Sequence, residues 1–178
     1  MLFPGGRLPL RIFETRYMDM AKACLKDGSP FGVCLIREGT EVGNPATPRE
    51  VGTLAKIASW EMPQLGVLQV TARGERRFRI LSRSVQPDGL ARGNVEILAN
   101  EADATPPQSL ARCVRLLERV LEQHPGLVER PHHLDSCSWV SARLAELLPL
   151  PLDAKQALLE LDDARLRLAR LDALIRPD

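Results

Sequence analysis

The hydrophobic periodicity of the sequence changes at Pro106-Pro107, and this change constrains the fold more than any single motif. Before it, short apolar segments are separated by glycine and proline, and in residues 68–72 apolar and polar side chains alternate. Such alternation is typical of a strand with one buried face. After it, apolar residues recur at intervals of three and four: Leu110, Val114, Leu117 and Leu121. This spacing is typical of an amphipathic helix.

The change in period predicts two subdomains, residues 1–105 and residues 106–178. We predict that the first is a mainly antiparallel β-rich subdomain with one helix, at about residues 15–26. The second is predicted to be a helical bundle, so the fold class is α+β. On the last helix, four apolar side chains are predicted to face inward: Leu166, Leu171, Leu174 and Ile175. The charged side chains of that helix are predicted to face solvent: Arg165, Arg167, Arg170 and Asp172.

Charge and apolar content argue against several classes of partner. The chain has 24 Lys and Arg residues against 23 Asp and Glu residues, whereas a nucleic-acid-binding domain is usually plainly basic. No apolar run approaches the roughly 18 residues that cross a bilayer, and the N-terminus lacks the features of a signal peptide. The four cysteines form no C-x-x-C pair. We therefore expect reduced thiols, a cytoplasmic location and no membrane partner.

The segment Ile12-Phe13-Glu14-Thr15-Arg16-Tyr17 places a carboxylate and a guanidinium close together, a combination that could serve acid catalysis. A structural role is favoured, because Glu14 would lie at the N-terminus of the predicted helix, where unpaired N–H groups favour negative charge. Phe13 and Tyr17 are predicted to anchor that helix on the sheet. We predict no catalytic residue here.

The other polar residues lack the spacing that a chemical site requires. His132 and His133 are adjacent in a proline-flanked loop, and the nearest cysteine, Cys137, has no paired partner for a zinc site. The remaining cysteines lie in predicted helix cores or in an apolar strand, and no G-x-x-x-x-G-K-[ST] phosphate loop occurs. We therefore predict that the chain is not an enzyme and needs no metal ion or cofactor.

One candidate binding segment is residues 59–66, which has the character of a hairpin connection but carries Trp60, Met62 and Leu65. Apolar side chains on a turn are unusual, and Met with Trp makes a surface that adapts to varied peptides. The alternative is that Trp60 and Leu65 fold back against the sheet.

A second candidate segment is basic. Arg76, Arg77 and Arg79 surround Phe78, a pattern that could bind an RNA backbone and stack a base. Alternation, however, predicts that Arg77 and Arg79 lie on a solvated face opposite Phe78. RNA binding through these arginines is therefore the alternative function.

Several segments together resemble the N-terminal substrate-binding domain of Lon proteases, a domain that also occurs in stand-alone bacterial proteins and in cereblon. These segments are Leu2-Phe3-Pro4-Gly5-Gly6, I-F-E-T-R-Y at 12–17, V-G-T-L-A-K-I at 51–57, R-F-R-I at 77–80 and K-Q-A-L-L-E at 155–160. The resemblance implies a PUA-like β-barrel followed by a helical subdomain, together forming one Lon N-terminal-type domain. No segment resembles the ATPase or Ser-Lys peptidase modules of full-length Lon, so a peptidase label would follow from family association alone.

The resemblance implies a non-catalytic domain that binds unfolded or partner polypeptides, as an adaptor or holdase linked to proteolysis. The family usually begins one strand earlier, with a P-L-F-P-L segment. We therefore expect either a start assigned too late or an unpaired barrel edge. The oligomeric state is left open by the sequence, with a homodimer as one option.

Overall fold

The computed structural model describes residues 1–40, 43 and 45–175. The chain divides into two compact units, Met1–Ala99 and Asn100–Asp178, whereas the sequence placed the boundary after residue 105. The first unit consists of antiparallel strands with one helix and the second is helical, so the predicted α+β class is confirmed. None of the described helices is long and apolar enough to span a bilayer.

The first unit is an antiparallel sheet with one helix. Its described elements are β1 (Arg7–Ile12), α1 (Thr15–Asp27), β2 (Phe31–Glu38), β3 (Thr47–Gln64), β4 (Val67–Val85) and β5 (Ala91–Ile97). The strand order is β1-β4-β3-β2, and β5 pairs with the distal half of β4. Over the described residues the sheet is open, with no pairing between β1 and β2. The closed barrel implied by the resemblance is therefore not formed there.

The ring of Phe78 is buried where β4 passes the β2–β3 pair. A Cβ atom on Gly32 would lie 2.9 Å from the Cζ atom of this ring, and one on Gly52 would lie 2.8 Å from it. Both distances are shorter than any ordinary carbon–carbon contact. The two glycines therefore make room for the phenylalanine ring.

The N-terminal residues are part of the same core. Leu2 and Phe3 are fully buried, and the hydroxyl of Thr53 donates a 2.8 Å hydrogen bond to the carbonyl oxygen of Leu2. Gly74 accepts a hydrogen bond from the N–H of Gly5 at 2.8 Å, and a Cβ atom on Gly74 would overlap the carbonyl oxygen of Phe3. The segment therefore docks on β4 through backbone contacts that require a glycine.

The two charges at the start of α1 interact with each other and with the protein backbone. The carboxylate of Glu14 forms a 2.7 Å ion pair with Arg16. Arg16 is buried, and it donates hydrogen bonds to the carbonyl oxygens of Gly89 at 3.0 Å and Gly43 at 2.6 Å. Glu14 is the N-cap residue, but its side chain makes no capping hydrogen bond. The pair therefore links the start of α1 to two loops.

The predicted anchoring role is correct for one aromatic residue and wrong for the other. Tyr17 packs against the core cluster that includes Ile12 and Val70. Phe13 does not anchor the helix, because 54% of its surface is exposed. Ile12 ends β1 with its side chain buried, and the alternation of a strand then directs the next side chain away from the core.

The second unit is a set of short helices. Its described helices are α2 (Ala111–Gln123), α3 (Cys137–Leu147), α4 (Leu152–Glu160) and α5 (Ala164–Leu174), with a 3-10 turn at Gln108–Leu110. The hydroxyl of Ser136 caps α3 by accepting a 3.0 Å hydrogen bond from the N–H of Trp139. Asp163 caps α5 by accepting hydrogen bonds from the N–H groups of Arg165 and Leu166. Such caps satisfy backbone donors that have no partner within the helix.

The predicted inward face of α5 is wrong. Leu166 and Leu174 are 45% and 53% exposed, whereas Arg167 is 2% exposed and Asp172 is 3% exposed. Leu171 is buried as predicted. The prediction assumed that every charged side chain of α5 faces solvent. It chose the wrong buried face because a charged side chain can be buried when it forms ion pairs and hydrogen bonds there.

The partners of Arg167 explain its burial. Its guanidinium forms an ion pair with Glu101 and donates 2.8 Å hydrogen bonds to the carbonyl oxygens of Leu158 and Leu161. A further hydrogen bond of 3.3 Å reaches the hydroxyl of Ser141. One side chain thus links the segment before α2 with α3, the end of α4 and the α4–α5 connection.

We expect the thiol of Cys34 to be alkylated about 100-fold more slowly than a free cysteine at neutral pH, because the thiolate is the reactive form. Burial raises the pKa of the Cys34 thiol from 9.0 to about 11. Burial, followed by the charge of Asp172, raises the pKa of Cys113 to about 12. Iodoacetamide labelling followed by mass spectrometry of the native protein measures both rates, and the urea-unfolded chain is the control. Labelling of native Cys34 at the rate of the unfolded chain would contradict this prediction.

Candidate functional site

The β3–β4 hairpin carries the apolar candidates from the sequence, but its connection is shorter than residues 59–66. Gln64 pairs with Val67, so the turn consists of Leu65 and Gly66 alone. Gly66 has a φ of 83°, in the left-handed region that a glycine adopts without steric cost. Most of residues 59–66 is therefore strand and not loop, and the strand pairing determines the face to which each side chain points.

The hairpin end exposes large apolar side chains. Trp60, Met62 and Leu65 are 57%, 45% and 96% exposed. Of the two alternatives that the sequence left open, the exposed arrangement is therefore the one observed. Phe13 follows Ile12, which pairs with Leu68 close to the turn, so it lies at the same end of the sheet. Phe13 is not part of the hairpin itself, so we call Trp60, Met62 and Leu65 the apolar tip.

The strand register determines which face of the sheet carries Trp60. Ile57 pairs with Ala72 and Ser59 pairs with Thr71, so β3 has one extra residue at this point. Beyond this bulge, Trp60 lies opposite the buried Val70. Since opposite residues of a strand pair share a face, Trp60 lies on the same face as the core residue Val70, but on the edge strand of the sheet.

A second irregularity of β3 lies between Glu61 and Gln64, at the position of Pro63. Proline has no N–H to donate to a ladder, and in sheets it is found at edges and bulges. Residues 56–64 are indeed an edge, because β2 pairs with β3 only between Thr47 and Ala55 in the described structure. This stretch of β3 therefore offers unpaired backbone groups beside the apolar tip.

A shallow open depression lies next to the apolar tip. It has a volume of about 550 Å³ and is lined by residues 9–11 of β1, 59–61 of β3 and 69–71 of β4. Trp60 forms part of its wall, and Arg11, Glu61 and Gln69 supply polar groups. An open depression with a mixed lining suits a peptide lying along the sheet better than an enclosed small molecule.

The arginine segment does not form the surface that RNA binding requires. Arg77 is 4% exposed, so the predicted solvated position of its side chain is wrong. Arg77 lies opposite Thr53 and Phe78 lies opposite Gly52, on opposite faces of the sheet. All four residues are buried, so both faces of the sheet are covered at this point. The ring of Phe78 is therefore closed to a stacking base.

The two other arginines of that segment are on the surface and have protein partners. Arg76 donates a 3.2 Å hydrogen bond to the carbonyl oxygen of Leu98. Arg79 forms a 3.7 Å ion pair with Glu96. The geometry therefore does not favour the RNA alternative.

Two of the three histidines lie beside a tryptophan. The rings of His132 and His133 lie with their centroids 5.8 and 6.1 Å from that of Trp139. Within the part of the chain that the structure describes, no three His, Cys, Asp or Glu side chains are close enough to hold a metal ion.

Comparison with known proteins gives consistent matches. A family model described as the ATP-dependent protease La (LON) substrate-binding domain matches residues 1–176. The structure is similar to the crystal structure of a Lon N-terminal domain protein from Xanthomonas campestris, with a TM-score of 0.83 and 36% sequence identity. That similarity covers 99% of this chain and 94% of the other chain.

Similarity also extends to longer proteins. Protein cereblon of Danio rerio is 28% identical over 101 residues, which covers 55% of this chain and 23% of cereblon. Lon protease of Cytophaga hutchinsonii is 26% identical over 177 residues, which covers 92% of this chain and 21% of the protease. The chain thus spans about a quarter of the length of these relatives.

Proposed function

The chain belongs to the family of Lon substrate-binding domains, and from this premise we propose that it binds exposed apolar segments of other polypeptides without catalysing a reaction. The observation that carries the proposal is the apolar tip, where three large side chains are exposed at the end of a folded hairpin. The proposed role is that of a cytoplasmic adaptor or holdase that acts on unfolded or partner polypeptides before proteolysis.

The apolar tip has the chemistry that such binding needs. Burying apolar surface contributes about 25 cal/mol per Å², and the 96% exposure of Leu65 leaves nearly its whole side chain available. Trp60 adds a large rigid surface, and Met62 adds an unbranched side chain that adapts to different neighbours. These properties suit a surface that recognises apolar character in general.

The open edge of β3 supplies a second source of affinity. Residues 56–64 have no partner strand on one side in the described structure, so an extended peptide can add to the sheet through backbone hydrogen bonds. Backbone pairing is independent of peptide sequence, and the apolar tip then selects for apolar side chains. Together they favour extended, hydrophobic segments of the kind that unfolded proteins expose.

We expect Trp60→Ala to weaken the binding of hydrophobic test peptides by about tenfold or more, as truncation of a central interface tryptophan usually does. Leu65→Ala is expected to act in the same direction. Leu65→Ala should not lower the unfolding free energy by more than about 0.5 kcal/mol, because Leu65 is 96% exposed. Fluorescence anisotropy of labelled peptides measures the dissociation constants.

Leu127→Ala is the matched control, because Leu127 is a half-exposed leucine of the helical unit. It should leave the peptide affinity unchanged. Peptide binding that survives both tip substitutions would reject the tip as the site. Retention on RNA that falls steeply with salt and is lost on Arg76→Ala and Arg79→Ala would instead support the RNA alternative.

A further inference from the structure

The strand β5 is exposed along its whole length. All seven of its residues, Ala91–Ile97, are exposed to solvent, and its partner in the described structure is β4 alone. A strand with one free edge carries a row of unpaired N–H and C=O groups that can pair with another strand. β5 contains no proline to block such pairing.

The pairing of β5 with β4 determines which backbone groups are free. The N–H of Leu98 donates a 3.0 Å hydrogen bond to the carbonyl oxygen of Arg77 on β4. Backbone groups alternate in direction along a strand, so even-numbered residues direct their N–H and C=O groups towards β4. The groups of Ala91, Gly93, Val95 and Ile97 therefore point to the free edge.

The sequence of this free edge is complementary to itself. In an antiparallel pair of β5 strands centred on Asn94, Arg92 of each copy lies opposite Glu96 of the other copy. Ala91 then lies opposite Ile97, and Gly93 lies opposite Val95. One face of the paired strands thus carries two Arg–Glu pairs, and the other carries small and apolar side chains. From this complementarity we propose that two copies of the chain associate through β5, in an antiparallel and symmetric pair.

The charges select one register among those that the backbone allows. Hydrogen-bonded pairing requires odd-numbered residues to face odd-numbered residues across the new edge. A pair centred on Gly93 would place Arg92 opposite Asn94, and a pair centred on Val95 would place Glu96 opposite Asn94. The register centred on Asn94 is the one that brings Arg92 to Glu96.

Neighbouring groups are compatible with this arrangement. Glu96 already forms an ion pair with Arg79 of β4, but the distance is 3.7 Å and both side chains are about half exposed. Such a pair contributes little free energy, so Glu96 can interact with a second arginine. Asn94 donates a 3.1 Å hydrogen bond to Ser82 of its own β4 and needs no new partner on the symmetry axis.

Charge reversal tests the proposal. Arg92→Glu places two glutamates opposite each other at both contacts, and Glu96→Arg places two arginines there. We expect each variant to dimerise at least about tenfold more weakly than the natural chain, since like charges directly opposite each other repel. Sedimentation velocity over a concentration series measures the dissociation constant.

A mixture of the two variants is the decisive sample. Arg92→Glu leaves glutamates at both positions and Glu96→Arg leaves arginines at both, so a heterodimer of the two variants regains an opposite pair at each contact. The mixture should therefore form a dimer with about the affinity of the natural chain. Because this rescue requires two folded proteins, it also rules out misfolding as the cause of weak association in the single variants.

Glu50→Arg is the matched control, since it reverses an exposed glutamate on β3 and should leave dimerisation unchanged. A natural chain that stays monomeric throughout the series would overturn the proposal. A dimer that neither charge reversal weakens, or a mixture that does not associate, would overturn it as well. Protection of β5 amide hydrogens by an unrelated extended peptide, without self-association, would show a different occupant and reject the second copy.

Discussion

Replacing Arg167 by methionine is expected to lower the unfolding free energy of the helical unit by about 3–5 kcal/mol, the usual cost of removing one partner from a buried ion pair. The two side chains of the pair, Arg167 and Glu101, are 2% and 6% exposed. Methionine fills much of the same volume, so the expected loss comes from charge and hydrogen bonding.

The size of this effect follows from what the substitution leaves behind. The carboxylate of Glu101 loses the guanidinium that compensates its charge, and the carbonyl oxygens of Leu158 and Leu161 lose donors at 2.8 Å. The loss of a hydrogen-bond donor at a buried acceptor costs up to about 1–3 kcal/mol, and the loss at a charged acceptor costs more. These partners come from separate segments, so their loss also loosens the connections between helices.

The unfolding free energy of the helical unit can be measured by urea unfolding followed by the fluorescence of Trp139. Trp139 lies in the helical unit, whereas Trp60 lies in the sheet unit. Trp60→Phe provides a background with a single tryptophan. Arg165→Met is the matched control, since Arg165 is an exposed arginine of the same helix, and it should change stability by less than about 0.5 kcal/mol.

A double substitution separates charge from packing. Replacing Glu101 by leucine together with Arg167→Met removes both charges, and an apolar pair can be nearly as stable as a buried ion pair. The double variant should therefore be more stable than Arg167→Met alone. Equal stability of Arg167→Met and Arg165→Met would contradict a structural role for the buried pair.

Gly52→Ala is expected to lower the unfolding free energy of the sheet unit by about 3 kcal/mol, at the upper end of the cost of overpacking a core. The added Cβ atom would lie 2.6 Å from both the Cys34 sulfur and the Val33 carbonyl oxygen, and 2.8 Å from the Phe78 ring. Since φ of Gly52 is not positive, steric overlap and not backbone strain is the cause.

Gly32→Ala is the informative comparison. Its Cβ atom would meet Phe78 alone, at 2.9 Å. We therefore expect a smaller loss, about 1–2 kcal/mol, that Phe78→Leu partly relieves. Phe78→Leu should not relieve Gly52→Ala, because the contacts with the Val33 carbonyl and the Cys34 sulfur remain.

Far-UV circular dichroism in urea, together with the rate of Cys34 alkylation, reports the stability of this unit. Equal losses for the two alanine variants, or equal relief of both, would contradict this account.

Local patterns predicted the elements that depend on neighbours in sequence. The helix expected at residues 15–26 is α1, and Gly28 ends it with a φ of 65°. The alternation in residues 68–72 is part of β4, and the spacing from Leu110 to Leu121 matches α2. Trp60, Met62 and Leu65 could be singled out because large apolar residues are rare near a turn.

The sequence failed where a residue depends on partners far along the chain. Arg77 and Arg167 were placed in solvent because an isolated charge belongs there, but Arg167 finds Glu101 66 positions away. Phe13 was predicted to anchor the helix because it is hydrophobic, but its side chain is exposed just after the end of β1. The bulges of β3 and β4 shift the alternation by one residue. Gly74 and Pro63 are residues typical of bulges and lie at two of them, but residue type alone does not give the register of the strands.

The sequence by itself therefore determined the α+β class and the resemblance to the family, because both follow from local periodicity and short motifs. The tertiary structure decided that the sheet stays open over the described residues, which charges are buried and which apolar side chains are exposed at the end of the hairpin. These features depend on strand register and on contacts between distant segments. Their free energies arise when the chain is folded, and no local window of sequence contains them.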